Sequence, residues 1–343
     1  VASVKLGISH SAVDTFLTCP KLYYYKNVAG IHPVDQSVFT FGRVFHAFLE
    51  EYWDEEKPTS SRYDRALNAL HTEARSESLS ADDLVVAEVL AVAYSAMWGS
   101  SSNKGKAEKR QVVGVLTPDG TIDPELRLKA IFDLEMEGPR SLMEHKTTRT
   151  KNVEPGSPYW RKVRNSQQLD IYFVVGEDSG EPFKYIEWSV VKIPNEKRRK
   201  ATPLDKQEFY KRNGKYGKKG DPKPGTFLET ETLGEYRDRL IELIANDPER
   251  FFQSNKLYPN TRAIEKTRYD VWAAGRLMLE AFKLKAFPRN RQGCIQYGRL
   301  CAYHPICFEN VDPERSELYT IKPRYSPLRV IPSGIDGGDG ATK

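Results

Sequence analysis

No stretch of this 343-residue chain approaches the ~20 consecutive apolar residues of a membrane-spanning helix, so no membrane is expected. Cysteine is scarce, with only Cys19, Cys294, Cys301 and Cys307. The even number leaves disulfides open, but a chain this large can bury a sizeable core without them. There is no G-x-x-x-x-G-K-[ST] run, so any unwinding of a duplex has to come from another chain. An excess of one charge is also missing. Lys and Arg total 52 against 47 Asp and Glu, and a net +5 permits nucleic-acid binding without demanding it. Nothing near Val1 resembles a signal peptide, and no internal repeat is visible. With 39% hydrophobic and 29% charged residues, the composition is that of a soluble globular protein.

The most informative segment is LKAIFDLEMEGPRSLMEHKTTRT, residues 128–150. It reads as two strands joined by the turn residues Gly138, Pro139 and Arg140. Residues two apart in a strand share a face, so Glu144 and Lys146 point one way and His145 the other. If the hairpin pairs, Asp133 lies across from them. Two carboxylates and a lysine on one face suit a hard cation and a phosphodiester. By itself the E-x-K pattern is common, and its ordinary reading is a solvated charge pair worth ~0–1 kcal/mol.

Three further features flank it. In TFGRVFHAFLEEYW, residues 40–53, Gly42, His46 and Glu50 fall on one helix face beside an apolar one. In RNSQQLDIYFVVG, residues 164–176, Gln168 and Tyr172 are again four apart. Each also has a plain structural reading, as a packed histidine, an exposed glutamine or a core-edge tyrosine. The cysteines form the third feature: one sits near the start in FLTCPKLYYY, and three stand as C-x6-C-x5-C in GCIQYGRLCAYHPIC. One distant and three clustered thiols favour a metal centre, zinc or iron–sulfur, and His304 leaves a three-cysteine, one-histidine zinc site as an alternative.

The order of these motifs, Cys-Pro-x-x-Tyr, Gly-x-x-x-His, Asp, Glu-x-Lys, Gln-x-x-x-Tyr and a cysteine triplet, resembles the RecB-type branch of the PD-(D/E)XK nucleases. It is most similar to iron–sulfur exonucleases such as the AddB nuclease domain, CRISPR-adaptation nucleases and phage exonucleases. The resemblance spans residues 8–308. It implies an α/β fold: a restriction-endonuclease-like core with a central mixed sheet flanked by helices, an N-terminal helical region and a C-terminal metal-cluster clasp. It also implies a metal-dependent DNA exonuclease of recombination, repair or phage DNA processing. Mg²⁺ or Mn²⁺ would be held by His46, Asp133, Glu144 and the backbone carbonyl of His145. Lys146 would be the catalytic lysine, Gln168 and Tyr172 would support it or the strand, and Cys19, Cys294, Cys301 and Cys307 would bind [4Fe–4S], with structural Zn²⁺ as the alternative. Two positions depart from the family pattern. Ala130 stands where glycine is usual, and six residues rather than two separate the first two clustered cysteines. A DNA-binding module without catalysis, an endonuclease and an RNA nuclease are the competing functions.

The expected layout is an N-terminal helical part over 1–108, a nuclease core over 109–194, a basic arm over 195–229, C-terminal helices with the cysteines over 230–310, and an extended or disordered tail over 311–343. Helices are expected at 9–25, 42–53, 61–99 (two), 158–176, 230–246 and 266–286, and strands at 109–116, 126–136, 141–147 and 184–193. In the arm, Lys197, Arg198, Arg199 and Lys200 with Tyr216 could grip phosphates and stack on bases, or form a solvated loop. The expected partners are DNA and a helicase, recombinase or integrase. Thiolate ligands imply a reducing, cytoplasmic setting, prokaryotic or phage-encoded.

Overall fold

The computed structural model describes residues 4–34, 37–54, 61–98, 105–136, 140–211, 219–296, 298–322 and 328–330. The chain opens with β1 (Val4–Ile8), α1 (His10–Thr18), a short helix α2 (Pro20–Tyr23) that continues as a wide turn to Val28, and β2 (Ile31–Pro33). Three long helices follow: α3 (Ser37–Trp53), α4 (Arg62–Ser76) and α5 (Ala81–Trp98). The central segment is β3 (Gly105–Leu116), β4 (Ile122–Met136), β5 (Ser141–Thr148), α6 (Pro158–Arg164), α7 (Gln167–Asp178) and β6 (Tyr185–Lys192). Next come β7 (Phe209–Lys211), β8 (Lys219–Pro222), α8 (Leu233–Asn246), β9 (Phe252–Leu257) and α9 (Thr261–Lys283). The last elements are β10 (Ile295–Gln296), β11 (Arg299–Leu300), α10 (His304–Phe308), β12 (Tyr319–Ile321) and β13 (Leu328–Val330).

The central sheet is mixed, in the order β13-β1-β4-β5-β6-β9, with β3 also paired to β4. β1 runs parallel to β4 and β5 parallel to β6, while β3 and β5 are antiparallel to β4. Helices cover both faces. One apolar core joins the sheet to α1, α6, α7 and α9, and the other joins it to α3, α4, α5 and α8. Alternation on β5 divides the two, with Leu142 in the first core and Met143 in the second. α5 is apolar on most sides because it lies inside its layer, with Val85, Val86, Val89, Leu90 and Tyr94 all buried.

Several sequence expectations need correction. The helix read over 158–176 is two helices, broken at Asn165 and Ser166, residue types that favour turns and caps over helix interiors. The break puts Gln168 in the first turn of α7. β1 and β9 were not expected, and both are short strands completed by partners far away in sequence. The tail is not wholly irregular: Tyr319–Ile321 pairs with Ile31–Pro33, and Leu328–Val330 pairs with Val4–Leu6. In the arm, β7 and β8 pair with each other, and Arg198 is anchored to Asp82 at 2.8 Å. Tyr216, Gly138 and Pro139 lie outside the described residues. No helix among the described residues is long and apolar enough to cross a membrane.

Candidate active site

β4 and β5 pair only from Leu134↔Met143 outward, and the ladder stops one position short of Asp133 and Glu144. There the Asp133 carboxylate accepts the His145 N–H at 2.7 Å, taking a donor that a longer ladder would have used. The two carboxylates are thereby held side by side on diverging strands.

Glu144 is 2% exposed. Its Oε1 accepts from Lys146 Nζ and from Gln168 Nε2, the latter at 2.7 Å. The Gln168 amide also meets the Tyr172 hydroxyl at 2.7 Å, and that hydroxyl donates to the Ile131 carbonyl at 3.0 Å. Gln168 and Tyr172 therefore act as one bracket from α7, tying Glu144 to β4. The other oxygen, Oε2, is buried with no hydrogen-bond partner. An unpartnered buried carboxylate oxygen is costly unless something else satisfies it.

His46 comes from α3, with Nδ1 4.0 Å from Asp133 Oδ2. The helix comes this close because Gly42 faces β5, where a Cβ would stand 3.3 Å from Thr147 Oγ1. The His145 ring points the opposite way, edge-on to Tyr94 at 6.2 Å, and is buried. Glu144 and Lys146 share one side and His145 takes the other, as alternation requires.

Burial raises the carboxyls of Asp133 and Glu144 above their ordinary range. Lys146 opposes the rise in both, and in Glu144 the charge of Asp133 adds to it. Burial works against the Lys146 ammonium, but Glu144 and Asp133 outweigh it and hold that group above its usual value. His46 is lowered by burial and then by Lys146, which keeps its ring neutral with a lone pair to offer. Among the described residues, no three His, Cys, Asp or Glu side chains are arranged to hold a metal ion as placed. The carboxylates are engaged by Lys146, Gln168 and the His145 N–H instead. The donor set nevertheless fits a hard divalent cation: a neutral imidazole, two carboxylates and the orphaned Glu144 Oε2.

Sequence reasoning missed several neighbours. Trp188 is the parallel partner of Glu144, and the Lys146 ammonium lies 5.1 Å from its ring centroid. The Trp188 indole donates to the Tyr159 hydroxyl at 3.3 Å. Glu108 stands across from Asp133 on β3 with φ 50°, and its carboxyl is pushed up to about 7 by burial and by Asp133, Glu50 and Glu144. None of these leaves a local signal, because each depends on which strands become neighbours.

Cys19, Cys294, Cys301, Cys307 and His304 line one cavity, with all four thiols free. Burial raises the Cys301 thiol, with Cys294, Cys19 and Cys307 adding to the effect. The Asn290 N–H donates to Cys19 Sγ at 3.4 Å, and the Cys301 N–H to the Cys294 carbonyl at 2.7 Å. The structure thus brings residue 19 and the 294–307 segment together. In the arm, Lys197, Arg199 and Lys200 are exposed, whereas Arg198 is half-buried in its pair with Asp82.

A mixed sheet between helical layers thus carries Asp and Glu-x-Lys on adjacent strands. The family model of the PD-(D/E)XK nuclease superfamily matches residues 7–308, and the chain belongs to that superfamily. Its members generally use divalent metals such as Mg²⁺. Among solved structures, a phage-related exonuclease from Haemophilus somnus 129PT is similar at 11% identity and a TM-score of 0.33, over 71% of this chain and 95% of that one. No curated protein matches the chain.

Proposed function

We propose that the protein is a Mg²⁺- or Mn²⁺-dependent DNA exonuclease acting on single strands or DNA ends. The observation that carries this reading is Glu144. One oxygen is fixed jointly by Lys146 and Gln168, the other is buried without a partner, and Asp133 and His46 stand beside it. His46, Asp133, Glu144 and the His145 carbonyl would hold the cation. When bound, the cation supplies Lewis acidity toward the phosphoryl oxygen and lowers the pKa of a water. Lys146, kept charged by the two carboxylates and steadied over Trp188, orients that water or balances charge developing on the phosphate. Gln168 and Tyr172 hold Glu144 in place, and the His46 ring stays neutral as a ligand.

The order of motifs, reaching as far as the cysteines, supports the exonuclease form. The four thiols around one cavity support a structural [4Fe–4S] cluster joining the N-terminal helix to the C-terminal segment. His304 in the same cavity favours structural Zn²⁺ as the second reading. Such a protein would act in recombination, repair or phage DNA processing, beside a helicase, recombinase or integrase.

The test uses end-labelled single-stranded DNA, duplex DNA and RNA with Mg²⁺, Mn²⁺ or EDTA. Metal-dependent release of mononucleotides or short fragments from DNA ends is expected, and Lys146→Ala should slow it by ~10²-fold or more. Internal cuts would make the protein an endonuclease, and preferred cutting of RNA would change the substrate. Equal rates for wild type and Lys146→Ala would overturn the active-site assignment.

A further inference from the structure

β4 changes partners along one edge. β3 follows its other edge from Ile122 to Met136, so β1, paired at Leu126–Leu128, and β5, paired at Leu134–Met136, must share the remaining edge. Between them, residues 129–133 have no strand among the described residues beside them on that edge. The Tyr172 hydroxyl fills part of the gap by donating to the Ile131 carbonyl at 3.0 Å. The rest is a solvent-open cavity of about 380 Å³ whose wall includes Gln168, the residue that holds Glu144.

The cavity has the chemistry of a nucleotide site. Lys129 and Ile131 lead along the open side of β4 toward Asp133, and their β3 partners are Val112 and Arg110. Two cations thus alternate with two apolar side chains that are well exposed, Ile131 at 44% and Val112 at 50%. The end of Lys129 lies across β1 at Gly7, where a Cβ would come within 2.3 Å of its Cε and Nζ. Asn27 lines the same space, and its Oδ1 is buried without a hydrogen-bond partner. The volume falls within the range of small-ligand pockets.

We infer that this cavity holds the nucleotide next to the scissile phosphodiester, with its phosphate on Arg110 and Lys129, its base against Ile131 and Val112, and a polar edge on Asn27. The inference rests on the nuclease reading for the identity of the strand. Its own basis is the gap in the sheet and the residues around it. Because the cavity adjoins Glu144 through Gln168, a strand seated there would carry its neighbouring phosphate toward the carboxylates. Thymidine 5′-monophosphate is therefore expected to bind the free protein with no divalent cation present.

Calorimetric titration of the full chain in EDTA with thymidine 5′-monophosphate, thymidine and inorganic phosphate tests this. The nucleotide should bind, with the two fragments each at least ~10-fold weaker, and Arg110→Ala with Lys129→Ala should lower its affinity by roughly 10-fold or more, the scale of lost charge-assisted contacts. On single-stranded DNA the same variant should raise KM and reduce the slope of log affinity against log salt by ~0.7 per cation. Both side chains are partly or fully exposed, and an unchanged melting temperature would exclude misfolding. No nucleotide binding, or equal binding by wild type and the double variant, would overturn the site. If DNA is still cut in that case, the nuclease reading stands without it. Conversely, nucleotide binding through Arg110 and Lys129 in a protein that cuts no DNA would sink the catalytic reading and keep the site.

Discussion

Asp133 accepts the His145 N–H at 2.7 Å where the β4–β5 ladder ends. The contact lets one carboxyl replace a strand partner and stay beside Glu144, so two buried carboxyls face Lys146, and burial raises both above their ordinary range. In the metal-free site the ionised form of these carboxyls is therefore disfavoured by burial, even with Lys146 beside them.

Asp133→Asn should consequently stabilise the metal-free protein. The asparagine oxygen can still accept from His145, while the charge is gone. Because burial raises the folded-state carboxyl above its ordinary 3.8, the stabilising contribution is present at and below that value. It is lost as pH rises through the raised value. In EDTA at neutral pH the variant should therefore melt at a higher temperature than the wild type. It should also lose the Tm rise that Mg²⁺ gives the wild type, along with activity. Thermal melts across pH 4–8 would decide; a variant less stable than wild type at every pH would show that the charge is already compensated.

Gly42→Val tests how His46 reaches the site. A Cβ at Gly42 already stands 3.3 Å from Thr147 Oγ1, and two further methyl groups would push α3 off β5. Divalent-cation affinity should fall by roughly 10-fold, the scale of a displaced ligand-supporting contact. Adding Thr147→Ala should restore part of it by making room. Wild-type affinity in the single variant would mean that α3 does not set the position of His46.

The local chemistry of this site was readable from residue spacing. Alternation put Glu144 and Lys146 together, helical spacing put Gln168 beside Tyr172, and both relations hold at hydrogen-bond distance. Relations that depend on which strands become neighbours were not readable. Trp188 under Lys146 follows from β5 pairing in parallel with β6, and the gap beside residues 129–133 follows from β1 and β5 sharing an edge. The three-residue strands β2, β12 and β13 carry too few side chains for a period, and only their partners make them strands.

The arm should divide by residue. Lys197 and Lys200 are exposed, whereas Arg198 is paired with Asp82 and Arg199 lies over Phe227 at 5.2 Å. Lys197→Gln with Lys200→Gln should lower the salt slope of single-stranded DNA binding by up to ~1.4, two phosphate contacts' worth. Arg198→Ala should instead loosen the arm from α5 and speed its proteolysis. Equal salt slopes for wild type and the lysine variant would reduce the arm to a solvated loop.

The cysteine cavity makes the last prediction. Cys19 closes α1, and the other three thiols come from the segment after α9, so a shared centre would cross-link residues 19 and 294–307 without a disulfide. Hydrolysis moves no electrons, so the role expected of the centre is mechanical. Anaerobically purified protein should be brown, with about four irons per chain, the stoichiometry of a [4Fe–4S] cluster on four cysteines. Cys301→Ser should lower Tm and solubility, and DNA cutting should fall in proportion to the folded protein lost. Colourless protein with one zinc would replace the cluster and keep the cross-link. Metal-free protein with an unchanged Tm in Cys301→Ser would remove the centre altogether, leaving four packed thiols.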